Sequence, residues 1–176
     1  MDRQALRDVQ APLKERYREE PSAAAVTLSA TGSLSEGITC SVETGRALAV
    51  AGLHPASGGD GNALCSGDML LQALAACAGV TLRAVATSMG LELVGGTVRV
   101  EGDLDFRGTL GVDKQAPVGF DNIRMAFELD STASQAELDT LLRLTERYCV
   151  VYQTLAAPPG LSATLTLERG PAQPTS

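Results

Sequence analysis

Four cysteines are the residues of this chain best suited to chemistry. They stand at positions 40, 65, 77 and 149 of 176, and no two of them form a C-x-x-C pair. The chain has a single histidine, so the ligand spacing of a zinc site is missing, and we expect neither a metal nor another cofactor. Four cysteines are also too few for the disulfide framework of a small secreted domain. The sequence therefore predicts free or redox-active thiols.

The immediate neighbours of each cysteine favour different roles. Cys40 lies between Thr39 and Ser41 in a predicted strand, where we expect a small buried residue. Cys65 comes just before a long apolar helix, and its role stays open between a buried residue and a further reactive thiol, because a helix N-terminus can lower the pKa of a thiol. Taken alone, Cys77 and Cys149 would both be interpreted as core residues.

A Gly/Pro-rich loop, HPASGGDGNAL at 54–64, precedes that helix. His54 is a candidate proton donor or base, because histidine alone has an unperturbed pKa near neutrality; the alternative is a purely structural residue. The GGDG segment lacks the lysine of a phosphate-binding loop and the ligand spacing of a calcium loop. We therefore expect a turn there.

The strongest predicted element is a helix over Ser66–Met89. Ser66 is a suitable N-cap, Asp68 complements the positive end of the helix dipole, and Gly90 is a suitable stop. The helix is apolar nearly all round, which predicts burial on most faces. The few strands of one chain could hardly cover it, so we expect an intertwined homodimer.

Shorter elements surround this helix. The sequence predicts an α+β chain with a helical arm over 3–19 broken near Pro12 and strands over 24–31, 37–43, 46–53, 98–106 and 120–129. A helix over 132–148 with Ser134 as N-cap is predicted to run on through Cys149 until Pro158 ends it, and a last strand follows over 161–167. The first two strands are joined by a GSLSEG turn. We predict a tail over 171–176 without fixed structure.

Composition limits the compartment and the partners. The net charge is −7, whereas nucleic acids and anionic membranes attract basic surfaces, so neither is an expected partner. Met1 to Glu20 carries many charges and lacks the apolar segment of a secretory leader. We find no stretch of about 18 uncharged apolar residues and expect a cytoplasmic protein.

Two motifs in the same order give the chain a family resemblance. LLQALAACAGVTLRAVATSMGLEL, followed by VRVEGDLDF, surrounds Cys77, and ERYCVVYQTL surrounds Cys149, 72 positions later. These strings resemble the OsmC/Ohr family, the osmotically induced and organic hydroperoxide resistance proteins, collinearly from about residue 24 to residue 168. The resemblance implies an arm over 1–20, an OsmC-like domain over 21–170, and antiparallel sheets wrapped around a central helix in an intertwined homodimer.

The resemblance also implies a reaction. Cys77 would be the peroxidatic thiolate and Cys149 the resolving thiol of a thiol-dependent peroxidase that reduces organic hydroperoxides to alcohols. The resulting disulfide would be reduced by an external dithiol of the lipoyl or redoxin type. A mostly apolar pocket would favour alkyl or lipid hydroperoxides over hydrogen peroxide.

This chain departs from the family pattern around the cysteines. A family branch has a glutamate ten positions before the first cysteine, where this chain has Gly67. Asp68 stands nine positions before it, as in other branches, and is a candidate catalytic acid, with a helix-terminal role as the alternative. The family's proline after the second cysteine is Val150.

The activating arginine of the family, in the first hairpin, is also missing. Arg16, Arg18 or Arg46 are the candidate substitutes, and for Arg83 we expect a buried ion pair or a subunit contact. The missing hairpin arginine favours an alternative function, an OsmC-like dimer that binds a small apolar ligand or has another stress role without turnover. The retained cysteine pair favours the peroxidase.

Overall fold

The computed structural model describes residues 2–5, 8, 11, 19, 31–35, 39–43, 48–111 and 113–167, with backbone alone at 31–35, 39–43 and 48. Residues 3–5, 8, 11 and 19 of the predicted arm have helical backbone. The predicted break at Pro12, most of the strand over 24–31, the side chain of Cys40 and the tail over 171–176 lie outside the described residues.

The first sheet has the strand order β1-β2-β3-β4. Its strands are β1 (Thr31–Ser35), β2 (Thr39–Glu43), β3 (Leu48–Gly52) and β4 (Leu64–Cys65); the pairs β1/β2 and β2/β3 are antiparallel, and β3/β4 is parallel. The predicted hairpin is present, but the first four residues of the predicted GSLSEG turn belong to β1. Ser35 pairs with Thr39, which leaves only three residues to turn the chain. Gly32, Ser33 and Ser35 are therefore strand residues rather than turn residues.

The central helix α1 spans Ser66–Met89, as predicted, and ends at Gly90, whose φ of +76° favours glycine. Its N-cap is Cys65 rather than Ser66. Within one chain, its fully buried residues form one stripe at i, i+4 spacing (Leu74, Ala78, Leu82 and Ala86). One chain alone leaves the other faces of the helix partly uncovered, with Val80 72% exposed, so the expected burial on most faces within a dimer stays a prediction.

A long hairpin covers the buried stripe of α1. β5 (Leu93–Leu104) and β6 (Phe120–Ser131) pair antiparallel, with a short helix α2 (Phe106–Thr109) in the connection. Alternate residues of the hairpin pack on the helix, among them Val98, Val100, Ile123, Met125 and Phe127. Length and apolar composition would also suit α1 to a membrane, but this packing identifies it as the core helix of the fold.

Two helices complete the core. α3 (Gln135–Tyr148) has the predicted N-cap, Ser134, with a capping box to Glu137, but it begins three residues after the predicted position 132. The prediction that this helix runs on through Cys149 is wrong, because the backbone leaves the helical region there and α4 (Val150–Ala156) follows as a separate helix. Both helices pack on α1. The strand predicted over 161–167 is absent: this segment pairs with no strand of the described chain, and Leu165 is 100% exposed. A strand needs backbone hydrogen bonds to a neighbouring strand, and this segment makes none within the described residues.

Candidate active site

Cys77 and Cys149 lie together at the contact between α1 and the break that separates α3 from α4. Cys77 stands three residues after Leu74, so it flanks the buried stripe of α1 and is half-buried. Cys149 is 0% exposed and belongs to the same apolar cluster as Leu74 and Ala78. The fold therefore joins two thiols that are 72 positions apart in the sequence.

Cys149 is fixed by the backbone on both sides. Its φ of −74° and ψ of 109° leave the helical region, so it ends α3 and begins α4. Its N–H donates to the carbonyl of Thr145 at 2.9 Å, and its sulfur accepts from the N–H of Tyr152 at 3.5 Å. The sulfur thus caps α4, which holds it against Cys77.

The surroundings of Cys77 favour its thiolate. Burial by itself would raise the pKa of the Cys77 thiol, but hydrogen bonds outweigh it and lower the pKa below that of an ordinary cysteine. In order of effect, the donors are the N–H of Val151, the thiol of Cys149, the N–H of Val150 and the hydroxyl of Thr81. Thiolate is the nucleophilic form of cysteine, so these contacts activate Cys77.

The surroundings of Cys149 shift its pKa in the opposite direction. Burial raises the pKa of Cys149, and the neighbouring Cys77 sulfur raises it further, although N–H groups at the start of α4 partly oppose this. Cys149 therefore stays protonated and donates to Cys77. The pair can hold one thiolate and one thiol, with the charge on Cys77.

Three of the groups that act on Cys77 are not among the site residues predicted from the sequence: Thr81, Val150 and Val151. Thr81 could have been found, because it stands four positions after Cys77 on the same helix face. Val150 occupies the position where the family has proline, and a proline has no N–H to donate. The departure from the family pattern at Val150 therefore adds a donor to the Cys77 sulfur.

An open groove of about 680 Å³ runs beside the cysteine pair, between α1, the start of β6 and the helices α3 and α4. It shares five residues with the cluster around Cys149 (Leu74, Ile123, Met125, Tyr152 and Leu155). Apolar side chains supply most of its lining. Neither cysteine is among the lining residues, so the groove adjoins the pair through these shared side chains, and it can accept an elongated apolar molecule there.

Asp68, the third predicted site residue, lies elsewhere. It is exposed in the first turn of α1, and nine residues of helix place it about 13 Å along the axis from Cys77. It lines a separate cavity of about 190 Å³ with His54 and Cys65. The structure does not bring Asp68 into contact with the cysteine pair, and its catalytic role stays a prediction.

His54 has structural partners at that second cavity. Its Nδ1 accepts from the N–H of Ala56 at 3.0 Å, and its ring stacks on Phe106 with centroids 5.0 Å apart. These contacts shape the 54–64 loop, where Gly58 and Gly61 have positive φ as expected for turns. Among the residues that the structure describes, no group of three His, Cys, Asp or Glu side chains could hold a metal ion.

The candidate activating arginines Arg16, Arg18 and Arg46 lie outside the described residues. Arg83 is exposed and donates to the carbonyl of Leu93 at 2.9 Å, so the described chain forms no buried ion pair with it, and the alternative, a subunit contact, stays a prediction. Its side chain extends from α1 to the start of β5 instead. Among the described groups that shift the pKa of Cys77, none is a guanidinium.

Comparison with known proteins agrees with this architecture. A family model described as OsmC-like protein matches residues 59–163. An OsmC-like protein from Mycoplasma pneumoniae superposes with a TM-score of 0.64 at 19% identity, over 76% of this chain and 89% of the other. A search of curated proteins finds no match.

Two further structures carry a functional description of their own. An organic hydroperoxide resistance protein OsmC from Legionella pneumophila has a TM-score of 0.57 at 18% identity, over 76% of this chain and 92% of the other. An organic hydroperoxide resistance protein from Elizabethkingia anophelis has a TM-score of 0.57 at 14% identity, over 77% and 91%. At these identities the likeness establishes the fold.

Proposed function

The chain belongs to the OsmC-like protein family, and we propose that it is a thiol-dependent peroxidase that reduces organic hydroperoxides to alcohols through a Cys77–Cys149 disulfide. The observation that carries the proposal is the contact between the two thiols: the Cys77 sulfur lies at the N–H groups that begin α4, and the buried Cys149 thiol lies beside it. Hydrogen bonds lower the pKa of Cys77, and burial raises the pKa of Cys149. One sulfur is thereby prepared to attack, and the other keeps its proton for the second step.

The first step is attack of the Cys77 thiolate on the terminal oxygen of the hydroperoxide. A sulfur–oxygen bond forms, the oxygen–oxygen bond breaks, and the alkoxide leaves with a proton from solvent as the alcohol. Cys77 is oxidised to a sulfenic acid, and the hydroperoxide is reduced. The N–H groups of Val150 and Val151 stabilise the thiolate before the attack.

The second step is condensation of the two sulfurs. The Cys149 sulfur attacks the sulfenic sulfur of Cys77, a disulfide forms, and the hydroxyl leaves as water with the Cys149 proton. An external dithiol then reduces the disulfide by two thiol–disulfide exchanges and is itself oxidised to a disulfide. A small dithiol such as a lipoyl group, or a redoxin, fits this role, and both are available in a reducing cytoplasm.

A peroxide-consumption assay with four proteins tests the proposal. Cumene hydroperoxide and a lipoyl dithiol are mixed with wild type, Cys77→Ser, Cys149→Ser and the matched control Cys65→Ser. We expect turnover by wild type and by Cys65→Ser, none by Cys77→Ser, and a single burst of about one equivalent by Cys149→Ser. Equal peroxide consumption by wild type and Cys77→Ser would refute the peroxidase.

The alternative, a dimer that binds a small apolar ligand without turnover, is favoured by the 680 Å³ groove. It predicts binding of apolar alcohols to wild type and to Cys77→Ser alike, with no peroxide consumption by either. The same four proteins therefore separate the two functions.

We also propose that the working unit is an intertwined homodimer. Two features of the single chain support it: the outer faces of α1, with Val80 exposed, and the unpaired segment 161–167, whose Leu161, Leu165 and Leu167 are all exposed. Apolar surface of this kind is covered in most soluble proteins by another subunit or domain. A second copy could cover α1 and offer an edge to the segment.

A further inference from the structure

The groove beside the cysteine pair is apolar along its length and acidic at its polar positions. Its polar lining includes the carboxylates of Asp121 and Glu146, next to Asn122 and Tyr152. No lysine, arginine or histidine is among the described residues that line it. A molecule in this groove therefore meets negative charge and no described cation.

Glu146 is the better fixed of the two carboxylates. It is half-buried, and the Tyr152 hydroxyl lies 3.4 Å from its Oε1. The side-chain amide of Gln153 donates to the Glu146 carbonyl at 2.8 Å, which ties α4 to the end of α3. Burial, together with the charge of Glu146, raises the pKa of Tyr152, so the tyrosine remains a neutral donor to this carboxylate.

Neighbouring cations do not reach into the groove. Arg143 and Arg147 stand three positions before and one after Glu146, and neither lines the groove. The Arg147 guanidinium lies 5.7 Å from the centre of the Tyr148 ring. Within the described residues, Glu146 has no ion-pair partner.

We propose that this groove selects uncharged hydroperoxides and rejects those that carry a carboxylate, with Glu146 as the specificity-determining residue and Tyr152 as its positioning residue. The preferred substrates are alkyl, aryl and esterified lipid hydroperoxides, and free fatty-acid hydroperoxides are disfavoured. The inference rests on the proposed peroxidase, because it assigns the substrate class of the groove that adjoins the cysteine pair. It follows from Coulomb repulsion in a partly desolvated groove, where two like charges interact more strongly than in water.

Two substrates that differ only in a carboxylate charge can measure the effect of that charge on the rate. Cumene hydroperoxide bearing a para-carboxylate and its methyl ester have nearly the same shape, and both dissolve in water. For charges roughly 9 Å apart at an effective dielectric constant of about 40, we expect kcat/KM to be about fivefold higher for the ester. Each rate is divided by the uncatalysed rate with the same dithiol, so that intrinsic reactivity cancels.

Two variants then assign the preference to one residue. In Glu146→Gln, the kcat/KM for the ester divided by that for the carboxylate should come close to one, mainly because the KM for the carboxylate falls. Glu128→Gln, which removes an exposed charge of β6 outside the groove, should keep the wild-type ratio. Added salt should also reduce the wild-type preference, since it screens charges. Equal kcat/KM for both substrates in wild type, or an unchanged ratio in Glu146→Gln, would overturn the inference.

A binding measurement separates this inference from the peroxidase itself. The two alcohols that correspond to the substrates cannot react, and their dissociation constants for wild type can be measured by NMR titration. If neither hydroperoxide is consumed, the peroxidase fails, and tighter binding of the ester alcohol would still support the selectivity of the groove. If both are consumed at equal rates and bind equally, the selectivity fails and the peroxidase stands.

Discussion

Val150→Pro tests how the fold activates Cys77. Val150 is the first residue of α4, and its N–H is one of the donors that lower the pKa of Cys77. Proline lacks this N–H but suits the first position of a helix, where its φ is already helical. Cys149, the preceding residue, has a ψ of 109°, which a following proline accepts. The Val150 side chain is 71% exposed, so little packing is lost.

The size of the effect follows from the donor lost. A hydrogen bond to a charged group contributes about 1.5–3 kcal/mol, and 1.36 kcal/mol corresponds to a tenfold change in an ionisation constant. Cys77 keeps its other donors, and water can partly replace the missing one at a half-buried sulfur. We therefore use the lower end of the range. At a pH below the pKa, the thiolate fraction of Cys77 should fall about tenfold.

The assay is the rate of Cys77 alkylation by iodoacetamide as a function of pH, followed by mass spectrometry of the Cys77 peptide. Val150→Ala is the matched control, because it removes the same side chain and keeps the N–H. The alkylation midpoint should move to higher pH in Val150→Pro and stay at the wild-type position in Val150→Ala. Coincident profiles for the two variants would refute the role of this N–H.

Three further predictions concern the rate profile, the assembly and the core. The kcat/KM for cumene hydroperoxide should fall as pH drops through the pKa of Cys77, with a midpoint below that of free cysteine, because protonation removes the nucleophile; a midpoint at or above the free value contradicts it. Val80→Asp should reduce the mass of the particle in analytical ultracentrifugation from two chains to one, whereas Val118→Asp, an equally exposed loop control, should not; a monomeric wild type excludes the dimer. Leu141→Ala, at a site 1% exposed, should lower the free energy of unfolding by about 2–5 kcal/mol in urea titrations, and a loss below about 1 kcal/mol would contradict its place in the core.

The sequence was most informative where a pattern is local. The bounds of α1 follow from a long apolar segment between a turn-rich loop and Gly90, and the N-cap of α3 follows from Ser134. The prediction failed where structure depends on distant partners. Segment 161–167 alternates like a strand but pairs with no strand of the described chain, and the turn before β2 lies later than the sequence predicts.

The candidate site also divides into features that the sequence predicts and features that depend on the folded chain. The two cysteines could be named from motif resemblance, and the fold brings them together. What distinguishes their chemistry could not be predicted, because it depends on backbone N–H groups of Val150 and Val151 that any residue except proline could supply. Asp68 was selected by its spacing from Cys77, but helix geometry places it near His54 and Cys65.

The most direct test of the peroxidase is the covalent product of one turnover. Reduced protein, freed of dithiol, is treated with one equivalent of cumene hydroperoxide, blocked with iodoacetamide and digested without reduction. We expect a stoichiometric disulfide between the Cys77 and Cys149 peptides, with Cys65 recovered in its alkylated form. A Cys77 that is recovered unoxidised, or that is oxidised while Cys149 remains a free thiol, would contradict it.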